Sequence, residues 1–224
     1  MRFPNAAKGI NKIFTSEIVS LIATVASGVA SILAILFIEA ESVGSETVAV
    51  APAIGVLAFG IGGLVLMFIA FIFQLVGVIQ ASKDEGFFKI VIYLTLAGML
   101  LTAIAQCFIT TNTIVYNICE TVALVLDIIG SLFMILGISS LASQYENNAI
   151  VEKCGTLFRV ILWIAIVALI SKFCSIFINS SSARAIIAVF SVIALILNIT
   201  QYVLYIMILA RTKKMLAEST EDSK

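Results

Sequence analysis

The sequence contains no histidine, only two prolines and little charge, since Asp, Glu, Lys and Arg make up 12% of the residues. Soluble domains carry roughly 25% charged residues, so about half of the expected charge is missing. The 13 basic residues are balanced by 13 acidic ones, which argues against a nucleic-acid-binding surface. Four cysteines without histidine or paired Cys-x-x-Cys spacing predict neither a disulfide framework nor a metal site.

Apolar residues are abundant instead: they form 62% of the 224 residues, and the mean hydropathy is +1.18. They occur in long runs without charge, and a helix that spans a bilayer needs about 20 such residues. The runs are continuously apolar rather than alternating with period two, which disfavours a membrane β-barrel. We therefore predict an all-α integral membrane protein with six transmembrane helices.

The limits of the apolar runs predict where these spans lie. The second span is unusually long and is expected to begin near Pro52, because proline is tolerated in the first turn of a helix. The polar residues at 110–113 are expected to form the turn between the third and fourth spans. The other predicted spans are residues 18–38, 87–109, 114–142, 157–178 and 185–210.

Six spans place both termini on one side of the membrane, and the basic residues predict which side that is. Lys172 and Arg184 are the two basic residues expected on the opposite side. By the positive-inside rule, both termini are expected in the cytoplasm, and we expect the plasma membrane. Eleven of the 13 basic residues share the side of the termini: Arg2, Lys8, Lys12, Lys83, Lys89, Lys153, Arg159, Arg211, Lys213, Lys214 and Lys224.

Short internal similarities indicate that the chain repeats itself. Residues 63–69, 123–129 and 194–200, each in an even-numbered span, resemble one another. We therefore predict one transmembrane domain over residues 1–224, with a polar C-terminal tail at 216–224. Three pseudo-repeated helical hairpins are expected within it, at approximately 8–82, 83–145 and 150–215. Apolar helices also resemble one another by composition alone, so chance similarity is the alternative.

Asp127 is the most informative single residue, because an ionisable side chain deep in a span costs about 2.5 to 3.5 kcal/mol to insert. Asn198 is expected at the same depth on the sixth helix, where it could donate a hydrogen bond to this carboxyl group. Gln201 and Thr95 are further candidates for the same substrate-binding or ion-binding site. The alternative is that Asp127 only holds helices together through hydrogen bonds.

Glu120 precedes Asp127 by seven residues and therefore lies on nearly the same face of the fourth helix. Lys172 is expected at a similar depth on the fifth helix, so the two charges predict a structural ion pair within the membrane. Snorkelling of Lys172 to the surface is one alternative. An outer vestibule is the other, in which Glu120 and Asp127 form a two-step acidic path for a cation or proton.

These residues lead to two hypotheses of function. The first is a small transporter or channel for a cation, a proton or a small polar solute, built around Asp127. The second is a non-transporting membrane subunit or scaffold that docks a partner protein. We expect no enzymatic activity, because the sequence offers no catalytic motif. No cofactor or nucleic acid is expected; the expected partners are the lipid bilayer and another membrane protein or a second copy of the chain.

Overall fold

The computed structural model describes the backbone of residues 3–42, 46–177 and 181–221, and the side chains of 3–34, 55–170 and 192–218. The described backbone forms six α-helices. They are α1 (Pro4–Ser42), α2 (Glu46–Ala81), α3 (Phe87–Phe108), α4 (Thr113–Gln144), α5 (Asn148–Phe177) and α6 (Ser181–Glu221).

All six helices are long and apolar enough to cross a membrane, which confirms the predicted all-α class and the expected number of such helices. The apolar segments within them have mean hydropathies between 1.9 and 2.7. Large apolar side chains cover much of the surface: Ile114, Leu64 and Phe68 are each more than 60% exposed. Such a surface suits hydrocarbon rather than water.

Three helices extend well beyond the apolar runs that predicted them. The helices α1 and α5 begin at Pro4 and Asn148, well before the predicted spans that start at residues 18 and 157. The segment between the predicted fourth and fifth spans, residues 143–156, is therefore mostly helical and contains only a short turn, and α6 continues past residue 210 to Glu221. The extensions are amphipathic: Ile10 and Leu216 are almost fully buried, while neighbouring charged residues are exposed. Hydropathy marks the part of a helix that suits hydrocarbon, not the whole helix.

The middle helices follow the sequence more closely. The predicted span 87–109 corresponds to α3, and 114–142 lies within α4. Asn112 caps α4, because its side-chain oxygen accepts hydrogen bonds from the N–H groups of Ile114 and Val115, each at 3.1 Å. The helix α2 begins at Glu46 and thus includes Pro52, near which the second span is predicted to begin.

The chain divides into two compact units, residues 11–77 and residues 1–10 with 78–224. In the unit of residues 11–77, α1 and α2 approach each other closely at glycines. A Cβ atom on Gly63 would lie 2.7 Å from the Ser27 hydroxyl oxygen, and one on Gly55 would lie 2.6 Å from Leu33. Gly55 and Gly63 thus permit close packing in this helical hairpin.

In the other unit, consecutive helices are neighbours: α3 packs against α4, α4 against α5, and α5 against α6. Most of the buried apolar residues of this unit lie in the second half of α4, at the start of α3 and in the first half of α5. Phe88, Ile138, Leu141 and Leu157 are each fully buried. This packing fixes the rotation of α3 and α4, and therefore the direction in which Asp127 points.

Candidate functional site

Asp127 lies at the contact between α3 and α4, which we call the α3–α4 seam (Phe88, Leu94 and Gly98 of α3; Asp127, Gly130 and Gly137 of α4). A Cβ atom on Gly98 would lie 3.0 Å from Oδ1 of Asp127. The carboxylate therefore rests in the space that any other residue at position 98 would fill. The rest of the side chain is exposed beside the seam.

The hydroxyl groups one helical turn from Gly98 and Asp127 donate to backbone carbonyl oxygens of their own helices. The Thr102 hydroxyl donates to the carbonyl oxygen of Gly98 at 3.0 Å, and the Ser131 hydroxyl donates to the carbonyl oxygen of Asp127 at 3.0 Å. Thr95 is one turn from Gly98 on the opposite side from Thr102, so it shares this face of α3. By helical spacing Thr95 and Thr102 share the face of α3 that carries Gly98, and Ser131 lies one turn from Asp127 on α4; Thr95 stays a prediction.

The described residues do not saturate the Asp127 carboxylate with hydrogen-bond donors. Within the described part of the chain, no side chain or backbone N–H donates a hydrogen bond to it, and no cation pairs with it. Carboxylate oxygens in a span need a partner, because an unsatisfied charge in hydrocarbon is costly. A proton, a cation or a hydrogen-bonding solute would supply that partner.

Glu120 lies on α4 toward the short turn that connects α3 and α4. Its carboxylate accepts a hydrogen bond from the Tyr116 hydroxyl at 2.8 Å, one helical turn away. This contact gives Glu120 a partner on its own helix. The predicted ion pair involves Lys172, whose side chain lies outside the described residues.

The two predicted residues of α6 are not brought to Asp127 by any described hydrogen bond. The Asn198 amide donates to the carbonyl oxygen of Ala194 at 2.8 Å, within its own helix. Gln201 is partly exposed on α6, whose neighbour is α5. The Asp127 carboxylate instead faces α3, so these two residues stay predictions.

A second polar cluster lies where helix ends meet, and we call it the loop junction (residues 3–6, 84–85 and 140–145). Here Asp84 caps the start of α1. Its Oδ2 accepts from the backbone N–H groups of Asn5 and Ala6 at 2.8 and 2.7 Å, and its Oδ1 accepts from the Asn5 side-chain amide at 2.9 Å. Because α1 begins at Pro4, these are N–H groups of the first turn, which have no partner within the helix. Asp84 therefore replaces the missing N-cap side chain.

The neighbouring Glu85 ties the same loop to the end of α4. Its Oε2 accepts from the Ser140 hydroxyl at 2.8 Å and from the Gln144 amide at 3.3 Å. The rings of Phe3 and Tyr145 pack edge to face at 5.8 Å between centroids. Two adjacent carboxylates and one ring pair thus join the start of α1, the loop after α2 and the end of α4.

Glu17 is a further acidic residue within a helix, although the predicted first span does not include it. The apolar run begins at residue 18, so Glu17 was left outside the first span, but it lies in the middle of the long α1. The spacing of apolar residues before residue 18 indicates that the helix starts earlier. Ala6, Ile10 and Ile13 are buried, and Glu17 lies on the same helix face. Its side chain is partly buried.

The α3–α4 seam offers oxygen atoms that can bind a ligand. Among the described side chains, no group of three or more His, Cys, Asp or Glu residues is arranged to hold a metal ion. One carboxylate with nearby hydroxyl and carbonyl oxygens suits the exchange of a proton, a cation or a small polar solute. No family model, no curated protein and no solved structure matches this chain.

Proposed function

We propose that the protein is a small membrane transporter or channel that binds a proton, a cation or a small polar solute at Asp127. One observation supports this proposal: the Asp127 carboxylate contacts the neighbouring helix but receives no hydrogen bond from a described residue. The Asp127 carboxylate is held against Gly98 of the neighbouring helix, yet no described residue donates to it. A carboxylate that only holds helices together would have such donors.

The proposal includes an orientation and a path. Both termini lie in the cytoplasm, as the distribution of Lys and Arg favours, and the three helical hairpins are repeats of one another. Glu120 lies about two turns from Asp127 on α4, so it offers a second oxygen site on the same helix. Thr95 lines the facing side of α3. Asn198 and Gln201 of α6 complete the proposed set.

The test is flux through the purified protein in liposomes, measured for protons with a trapped pH-sensitive dye and for Na⁺ and K⁺ with trapped indicators. We expect flux above that of empty liposomes for at least one of these ions. Asp127→Asn should reduce it at least tenfold, because the amide can neither release a proton nor neutralise a cation.

The matched control is Glu152→Gln, which removes one carboxylate charge at an exposed position near the start of α5. This variant should keep wild-type flux. Retained flux in Asp127→Asn would contradict the assignment of the site. Wild-type liposomes that move none of these ions, and that retain no small ligand in native mass spectrometry, would favour the non-transporting subunit instead.

A further inference from the structure

Asp127 lies near the middle of the α3–α4 hairpin. Its contact on α3 is Gly98, which is eleven residues after Phe87 and ten residues before Phe108, the two ends of that helix. With a rise of about 1.5 Å per residue, this contact is about 15 Å along the helix from either end. The hydrocarbon core of a bilayer is about 30 Å thick, so a carboxylate at this position lies close to its centre.

The carboxylate also lies on an apolar surface. Asp127 is exposed beside the seam. Met99 and Leu100 of α3 and Val122 of α4, which are close to Gly98 or Asp127 along the chain, are exposed apolar side chains. In a bilayer such side chains contact lipid, so an ionised Asp127 would place a charge against hydrocarbon. That state is costly unless a ligand removes the charge.

The charged groups of the neighbouring helices do not neutralise Asp127 among the described residues. The helix α4 packs against α3 and α5. Within the described side chains of these helices, no hydrogen bond or ion pair joins a titratable group to this carboxylate. On α3, the titratable group closest to Gly98 along the helix is Tyr93, whose side chain is 72% exposed. The other described titratable groups are Lys89 and Cys107 of α3, Tyr116, Cys119 and Glu120 of α4, and Glu152, Lys153, Cys154 and Arg159 of α5.

The three kinds of ligand considered for this site need different surroundings. A metal cation needs a shell of several oxygen atoms that replaces its bound water. A polar solute needs a concave pocket that covers most of its surface. The described residues around Asp127 offer one carboxylate, since the Thr102 and Ser131 hydroxyls donate to backbone carbonyl oxygens and the contact with Gly98 is close. A proton needs only one carboxylate oxygen.

We propose that the ligand of Asp127 is a proton. This inference rests on the proposed function and names its substrate. Uptake of the proton forms one O–H bond on the carboxylate and removes its negative charge, so the neutral acid is tolerated against lipid. Release breaks that O–H bond, returns the proton and restores the charge. The protein thus moves protons by protonation and deprotonation of this single side chain.

The experiment measures protonation directly, with a hydrophobic carbodiimide that enters the lipid phase. The O–H group of a protonated carboxylic acid adds across one C=N bond of this reagent, and the adduct rearranges to a stable N-acylurea. The wild-type protein in liposomes is treated with the reagent, and the modified residues are located by mass spectrometry of peptides. Asp127 should be modified, at a rate that rises at least fivefold as the pH is lowered from alkaline to weakly acidic.

The cation in the buffer separates a proton from a metal ion as the ligand. Replacement of choline by Na⁺ or K⁺ should change the rate of Asp127 modification by less than twofold. At least fivefold protection by either ion would show that this ion occupies the site, and it would overturn the proposal. Failure of the reagent to modify Asp127 at any pH would also overturn it.

Two controls test the assignment within the same chain. Asp84 accepts three hydrogen bonds in the loop junction and should stay unmodified. Asp127→Glu retains a carboxyl group at the same position, so it should be modified and should retain proton flux. This variant keeps the proposal testable if Asp127→Asn does not fold. Loss of proton flux in Asp127→Glu, with Glu at 127 still modified, would contradict a role for protonation alone.

Failure of this inference can be distinguished from failure of the proposed function. If Asp127→Asn abolishes a flux of Na⁺ or K⁺, and that ion protects Asp127 from the carbodiimide, then the proposed function stands and only the proton is wrong. If Asp127 is modified without protection but Asp127→Asn retains flux, then the residue takes up a proton and the proposed function fails.

Discussion

Two aspartates of the same unit stand in opposite surroundings. Asp84 in the loop junction accepts three hydrogen bonds of 2.7 to 2.9 Å and so completes the first turn of α1. Asp127 in the α3–α4 seam touches Gly98 and accepts none from the described residues. The comparison teaches that the role of an acidic residue in a membrane protein, structural or ligand-binding, is judged from the hydrogen-bond donors around its carboxylate. A saturated carboxylate holds structure together, and an unsaturated one is available to a ligand.

The largest expected effect on stability comes from removing the saturated carboxylate. Asp84→Ala leaves the N–H groups of Asn5 and Ala6 and the Asn5 amide without their acceptor. Hydrogen bonds to a charged group contribute about 1.5 to 3 kcal/mol, and the loss of an N-cap costs about 1 kcal/mol. We expect the free energy of unfolding to fall by about 2 to 4 kcal/mol, measured by denaturant titration in detergent.

The conservative change Asp84→Asn checks the cause of that loss. It keeps one acceptor oxygen and removes the charge, so it should lie between the wild type and Asp84→Ala. An Asp84→Ala protein as stable as the wild type would show that the contact with α1 contributes nothing to stability. Asp84 would then no longer contrast with Asp127 as a structural carboxylate.

A smaller effect is expected at the other end of the α3–α4 hairpin, where Asn112 caps α4 on the same principle. Asn112→Ala removes the acceptor for the N–H groups of Ile114 and Val115. Asn112 and Ile114 are exposed, so another acceptor can partly replace the lost side-chain oxygen. We expect a loss of about 1 kcal/mol in the free energy of unfolding. Asn112→Ser retains an acceptor and should restore most of it; equal loss in both variants would contradict capping.

The sequence predicted the helix limits best where turn-forming residues and the end of an apolar run coincide. The turn residues around Asn112 coincide with the end of an apolar run, so the limits of α3 and α4 were close to those observed. At Pro4 and Glu221 the helix limits differ from the limits of the apolar runs, because an amphipathic part of the helix continues beyond each run. The alternation of buried Ile10 and Ile13 with charged neighbours was the available signal there.

The candidate site was predictable in its central residue but not in its surroundings. An aspartate deep in an apolar run marks Asp127 from the sequence alone. Depth then suggested Asn198 as a partner, but depth does not specify the rotation of a helix. That rotation is set by packing, and here Gly98 and Gly137 let α3 approach the face of α4 that carries the carboxylate. The capping role of Asp84 could not be predicted from the sequence, because the start of α1 at Pro4 was not predicted.

A still smaller change in stability is expected at Gly98, together with a clear change in flux. The methyl group of Gly98→Ala meets Oδ1 of Asp127 at 3.0 Å, and a carboxylate can swing away from it. Alanine also favours a helix over glycine by about 1 kcal/mol, so the free energy of unfolding should change by less than about 1 kcal/mol. Displacement of the carboxylate should lower flux, but by less than Asp127→Asn does.

Gly155→Ala is the matched control for this substitution, because a Cβ atom there has nothing within 4 Å. It should keep wild-type flux and gain at most the helix propensity of alanine. If Gly98→Ala and Gly155→Ala have the same flux, the position of the carboxylate against α3 does not matter for function.

The smallest expected effect on stability is that of Asp127→Asn, the variant with the largest expected effect on flux. The amide has nearly the shape of the carboxylate, and no described donor loses its acceptor. The free energy of unfolding should therefore change by less than about 0.5 kcal/mol, as for a substitution that breaks no native contact. A loss of 2 kcal/mol or more would show that Asp127 is saturated in the membrane and belongs with Asp84. The difference between the two aspartates would then disappear, and with it the main support for a binding site in the seam.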